Sequence, residues 1–157
     1  MTEAVSNFST RMMNVHWRLD ALFSQHQRAL LDRDLVRAGI WLDSYCEQLA
    51  VHMEDEEHFV IPLYQQLGGD GTDAPAKLFL GEHAKMREFM ARIGAVTAAL
   101  ATQPDDRELL KLFDLEASYK NLLLHHDLRE RNALYPRLLT RSSREQGTAL
   151  AAALRSC

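Results

Sequence analysis

The chain carries one short pattern twice. HMEDEEHFVIP spans 52–62 and HDLRERNALYP spans 126–136; each reads His, Glu four residues on, and Pro six further. A spacing of four puts His52 above Glu56, and His126 above Glu130, on one face of a helix. The offset of 74 residues also pairs Tyr45 with Tyr119 and Leu49 with Leu123. These Leu and Tyr side chains lie one and two turns before each histidine, on the same face. Both His-Glu pairs therefore prolong an apolar stripe and point toward a core. A buried carboxylate or imidazole without a partner costs several kcal/mol. Any fold of this chain must bring something to those two faces.

The rest of the sequence predicts that the partners come from helices. Alternating apolar and polar runs are absent, and the helix formers Ala, Leu, Glu, Arg and Gln dominate. Breakers gather in three places. Asp32-Arg33-Asp34 ends one helix and caps the next, with Asp34 as N-cap. The glycine-rich 68–73 stretch is a loop, and Pro75 suits a helix start. Thr102 to Asp106 supplies acidic residues for a third helix start. The predicted helices run about 4–31, 35–67, 75–101 and 105–140, with a shorter fifth at about 143–155. The fold class is all-α: an up-down-up-down antiparallel four-helix bundle with a short C-terminal extra helix. One domain is expected over 1–157, with the bundle at about 4–140 and a tail at 141–157.

Antiparallel pairing predicts the missing partners. Reflecting His52 through the Asp34 turn lands on His16; reflecting His126 through the turn at 104/105 lands on 83 or 84, and position 83 is a histidine. Four histidines from four helices then share one level, with Glu56 and Glu130 about 6 Å along the axis. Imidazoles give neutral, fairly strong ligands, and a carboxylate can bridge two ions. His16, His52, Glu56, His83, His126 and Glu130 thus predict a dinuclear metal site. A nitrogen and oxygen donor set without thiolate suits iron or manganese, with zinc possible. His26, ten residues from His16, reads as a partly exposed polar residue. His58 and Glu57 read as surface, His125 as surface or as a neighbour of the site, and Trp17 and Trp41 as packing anchors. Tyr45 and Tyr119 read as core. Asp20, one turn from His16, reads equally as a partner of a ligand histidine or as a solvated charge. Arg87 is assigned either to the site or to Glu88 or Glu82. Pro62 and Pro136 are expected to kink or end their helices.

HxxxEExxxxP at 52–62, Glu82-His83, HxxxExxxLYP at 126–136 and VHWRLDALF at 15–23 together resemble the hemerythrin-like, HHE cation-binding family over about 12–140. The resemblance implies a four-helix bundle with a non-heme di-iron centre, two iron ions bridged by an oxo or hydroxo group. It implies His16 and His52 on one iron, His83 and His126 on the other, and Glu56 and Glu130 between them. Oxygen-carrying hemerythrins have a second histidine one turn after the third-helix ligand, where this chain has Arg87. They also use a differently spaced Asp where it has Glu130. The missing histidine implies more open coordination positions on one iron, and both departures resemble the broader bacterial HHE group more than the carriers.

Two functions follow as expectations. One is binding or sensing of O2, NO or a similar small ligand. The other is a di-iron redox enzyme that turns over peroxide or nitric oxide, or delivers iron for repair. A metal-free or zinc-held interaction module is the third reading. A net charge of -4 with interleaved signs argues against nucleic acid as partner, and no apolar run is long enough to span a membrane. The N-terminal MTEAVSNFSTRMM lacks the order of a signal peptide, and Cys46 and Cys157 form no CxxC pair, so a cytoplasmic setting is expected. The Ala/Leu patch at 149–154 is expected to cap the bundle or to pair two subunits, giving a monomer or a homodimer.

Overall fold

A computed structural model describes residues 3–156, and among these no strand occurs. Seven α-helical segments follow one another: α1 (Glu3–Leu31), α2 (Leu35–Asp55), α3 (Ile61–Gln66), α4 (Ala76–Thr102), α5 (Asp106–Arg129), α6 (Tyr135–Arg141) and α7 (Arg144–Ala153). The helix boundaries stand where the breakers put them. Asp34 caps α2 by accepting from the Arg37 N–H, and Asp105 caps α5 by accepting from the Arg107 and Glu108 N–H groups. Gly68, at φ 79, takes the left-handed conformation that lets the chain leave α3. Ser143 and Gln146 form a capping box at the start of α7.

Pro62 and Pro136 neither break nor end their helices. Between α2 and α3 the chain makes a π-helical turn over Glu56–Val60; between α5 and α6 it makes another over Glu130–Leu134. The Ile61 N–H donates to Glu56 O, and the Tyr135 N–H donates to Glu130 O, each reaching back five residues. A proline lacks the N–H of an α-helical bond, and its ring crowds the carbonyl four residues back. The wider π turn accommodates both defects and lets the rod continue. The expected helix end is thus replaced by one extra residue in each turn, at the same place in both copies of the repeat.

α1 packs on α2, α2 on α4, and α4 on α5, while α7 lies against α1 and the first π turn. Two apolar clusters result. One holds Val15, Leu19, Leu49, Met53, Met86 and Tyr119 among others. The second holds Phe8, Met12, Val60, Phe79, Leu134 and Leu138, and it includes Leu150 and Leu154 from the tail. The tail patch therefore caps this end of the molecule. Asp55 pins it: the buried carboxylate accepts from the Arg155 and Ser156 N–H groups and from Arg155 Nε. Cys157 lies outside the described residues.

Two sequence assignments change. Trp17 is 65% exposed and anchors no packing, whereas Trp41 is half-buried against the first cluster. His26 is fully buried, not partly exposed. Its Nδ1 donates to Ala38 O at 2.8 Å, and its Nε2 stands 2.7 Å from Glu116 Oε1. Gln27 donates to the other Glu116 oxygen. Reflection through the Asp34 turn had set His26 apart from the histidine level, which is correct. It missed Glu116, because that residue lies on α5 and outside the repeated motif. Replacing His26 with Ala leaves Glu116 Oε1 buried without its partner and only Gln27 on the other oxygen. His26→Ala is expected to cost about 3–5 kcal/mol, read as a lower midpoint in urea unfolding.

Candidate metal centre

The two apolar clusters are separated by a polar layer. His52, Glu56, His83, His126 and Glu130 are buried in it, and His16 is mostly buried. Each arrives by the same route: an apolar helix stripe that runs on into a His or a Glu. All four Nε2 atoms face one another or a carboxylate. His16 Nε2 stands 3.0 Å from His52 Nε2 and 3.3 Å from Glu130 Oε2. His52 Nε2 is 3.6 Å from Glu56 Oε1, and His83 Nε2 is 3.2 Å from Glu56 Oε2. His126 Nε2 is 2.9 Å from Glu130 Oε1. Glu56 and Glu130 thus each offer one oxygen to the His16/His52 side and the other to the His83/His126 side. Two four-residue groups result, and each can hold a metal ion: His16, His52, Glu56 and Glu130; and Glu56, His83, His126 and Glu130.

The residues fit a cation on three counts. First, the spacings match shared coordination: two nitrogens about 2.1 Å from one ion and at a right angle stand about 3.0 Å apart. Second, seven buried polar side-chain atoms among the described residues lack a hydrogen-bond partner, and four of them face inward here: both Glu56 oxygens, His83 Nε2 and Glu130 Oε1. Buried polar groups in native proteins are rarely left bare. Third, two of the imidazoles are in the neutral form that binds metal. Burial, aided by the neighbouring histidines, pushes His52 down to about 3 and His83 down to about 4, so both are neutral imidazoles. Burial and the facing Glu130 hold Glu56 well above the carboxylate range. Burial opposes ionisation of Glu130 too, but His126 and His16 outweigh it and hold that carboxyl low. Burial works against charged His126, and Glu130 reverses it, raising that group.

Behind three of the imidazoles stands a carboxylate, and behind each carboxylate an arginine. His16 Nδ1 donates to Asp127 at 2.9 Å, and Arg131 holds Asp127. His83 Nδ1 donates to Glu57 at 2.9 Å, and Arg87 holds Glu57 at 2.8 Å. His126 Nδ1 donates to Glu82 at 2.9 Å, and Arg129 holds Glu82. A proton fixed on Nδ1 leaves the Nε2 lone pair facing inward. Despite burial, Glu57 is held low by Arg87 and His83, and Asp127 by His16 and Arg131.

These outer acids correct the sequence reading. Glu57 is half-buried on His83 and is not a plain surface residue. Asp20 is exposed, and Asp127 takes the partnership with His16. Arg87 pairs with Glu57, not with Glu82 or Glu88. A signal was present: Glu57, Glu82 and Asp127 each adjoin a site residue in sequence and turn about 100° toward a neighbouring helix. His58 and His125 are exposed, as expected. Tyr45 and Tyr119 donate and accept between their own hydroxyls, 2.5 Å apart, in the core. Tyr135 was not singled out; its buried hydroxyl donates to Glu130 Oε2 at 3.2 Å.

A model of the hemerythrin HHE cation binding domain matches residues 7–138. The chain belongs to this family. No curated protein and no solved structure matches it. Membership in a cation-binding family and the convergence of six donors agree on metal binding as the chemistry of the layer.

A cavity of about 330 Å³ adjoins the HHE layer. All four histidines line it, with Phe23, Tyr45, Leu49, Met53, Met86 and Leu123 as its apolar walls. Exposed Trp17, Asp20, Lys120 and Leu124 form its rim between α1 and α5. Glu56, Glu130 and Tyr135 do not line it, so the carboxylates approach the layer from one side and the cavity from the other. Metal at about 100 times its Kd is expected to stabilise this HHE domain by about 2.7 kcal/mol, raising Tm by roughly 5–10 °C. Scanning calorimetry with and without a chelator measures the shift, and Glu130→Ala is expected to abolish it.

Proposed function

We propose that this chain is a non-heme di-iron protein that binds or senses O2 or NO at a carboxylate-bridged dinuclear centre. The observation that carries the reading is the sharing of Glu56 and Glu130: each carboxylate presents one oxygen to each pair of histidines. His16 and His52 would hold one ion and His83 and His126 the other. A mixed nitrogen and oxygen donor set without thiolate favours iron, with manganese or zinc as substitutes. Cys46, the free cysteine among the described residues, takes no part in either donor group. The frame for this reading is an up-down-up-down four-helix bundle, one domain over 1–157, in which each rod supplies at least one donor.

Bound iron would supply reversible electron transfer to a small ligand. The chain supplies the rest. Asp127, Glu57 and Glu82 orient three imidazoles, and Tyr135 keeps a proton on its hydroxyl because burial and Glu130 raise it well above the ordinary range. That hydroxyl steadies the Glu130 oxygen facing His16. The apolar cavity walls limit water beside the layer and admit a small, weakly polar ligand.

Peroxide or nitric oxide turnover is the second reading, and Arg87 favours it. Its guanidinium is engaged by Glu57, so α4 gives the site one imidazole only, and each half has two. Anaerobic reduction of iron-loaded protein followed by O2 is expected to give a new visible charge-transfer band that degassing reverses. Absence of any band would count against ligand binding. Steady consumption of peroxide without a persistent band would favour the enzyme. His126→Ala is expected to lose either behaviour.

A further inference from the structure

The two halves of the layer have the same donors facing inward, but their surroundings differ. His83 and His126 each donate Nδ1–H to a carboxylate that an arginine holds. His52 does not: its Nδ1 is buried and has no partner. His16 has Asp127, but its side chain is 15% exposed, whereas that of His83 is fully buried. The carboxylate oxygens differ in the same sense. Glu130 Oε2, which faces His16, already accepts the Tyr135 hydroxyl, while Glu130 Oε1, which faces His126, accepts no hydrogen bond. Tyr135 is matched in the first copy of the repeat by Ile61, which brings no hydroxyl to Glu56.

Each difference weakens the same half. A carboxylate behind an imidazole raises its basicity and fixes its ring, and losing one typically costs about 10–100-fold in metal affinity. An oxygen that accepts a phenol proton donates less strongly to an ion. Resting on the reading that the layer binds two ions, we infer that the two positions are unequal: the His83/His126 position fills first and holds its ion tightly, and the His16/His52 position holds the exchangeable ion. At limiting metal the chain carries one ion, and the second joins or leaves at the more exposed half.

Two steps in a titration would not by themselves establish this, because one bound cation repels the next. The test asks which half holds the tight ion. Wild type, His52→Ala and His83→Ala are titrated with Fe(II) anaerobically against a chromophoric chelator. His52→Ala is expected to bind one ion about as tightly as the first ion of the wild type. His83→Ala is expected to bind its one ion at least about tenfold more weakly. Glu57→Gln, which keeps both histidines and the helix surface, is expected to weaken the tighter step by about 10–100-fold. It decides the matter if circular dichroism finds His83→Ala unfolded. Equal affinities in the two histidine variants, or an unchanged tight step in Glu57→Gln, overturn the inference and leave the di-iron reading standing. A wild type that takes up no Fe(II) overturns both.

Discussion

Burial of six ionisable side chains in one layer is the constraint on which the remainder of this structure turns. His16, His52, Glu56, His83, His126 and Glu130 sit between two apolar clusters, where water is scarce and a bare carboxylate is costly. A core made only of such groups would destabilise the fold. The layer is tolerable because its groups have partners: the imidazoles stand against two shared carboxyl groups inside it, and carboxylates backed by arginines stand behind three of them. The Glu56, His83 and Glu130 atoms still lacking partners face the middle of the layer, where a cation would offset them. The family to which the chain belongs takes its description from cation binding.

The repeat has its physical reason in the same layer. Each motif couples a His-Glu pair to a proline six residues beyond the Glu. The π turn starts at the Glu in both copies, Glu56 and Glu130. A proline at that distance makes an α-helical continuation costly, and the wider turn is what accommodates it. The carboxylate thus enters the layer at the point where the helix changes its winding, while the apolar stripe resumes beyond it with Val60 and Leu134 in the second cluster. The copies then diverge where the chemistry is asymmetric. Position 135 is Tyr and its counterpart at 61 is Ile, so a hydroxyl reaches one bridging candidate and not the other.

Much of the site was legible because helices are regular. A spacing of four fixes a shared face, and a short turn fixes which residues on neighbouring rods stand level, so His16 and His83 followed from His52 and His126 by reflection. The outer residues were not legible in that way. Glu57 adjoins Glu56 in sequence but serves His83 on α4; Asp127 adjoins His126 but serves His16 on α1. Each acts across a helix interface, about 100° from the face that periodicity identifies. His26 was misjudged for the same reason: Glu116, on a rod far away in sequence, makes its burial tolerable.

Sequence by itself determined the helical class, the places where helices start, the repeated inner faces and the six side chains that meet, because each depends on contacts within a few residues or across one short turn. Tertiary structure decided what surrounds those six: which imidazole has an acid behind it, which has none, where the tail docks on Asp55, and where the cavity opens. Those outcomes depend on how side chains of different rods interleave at their flanks, and no spacing along a single rod encodes that.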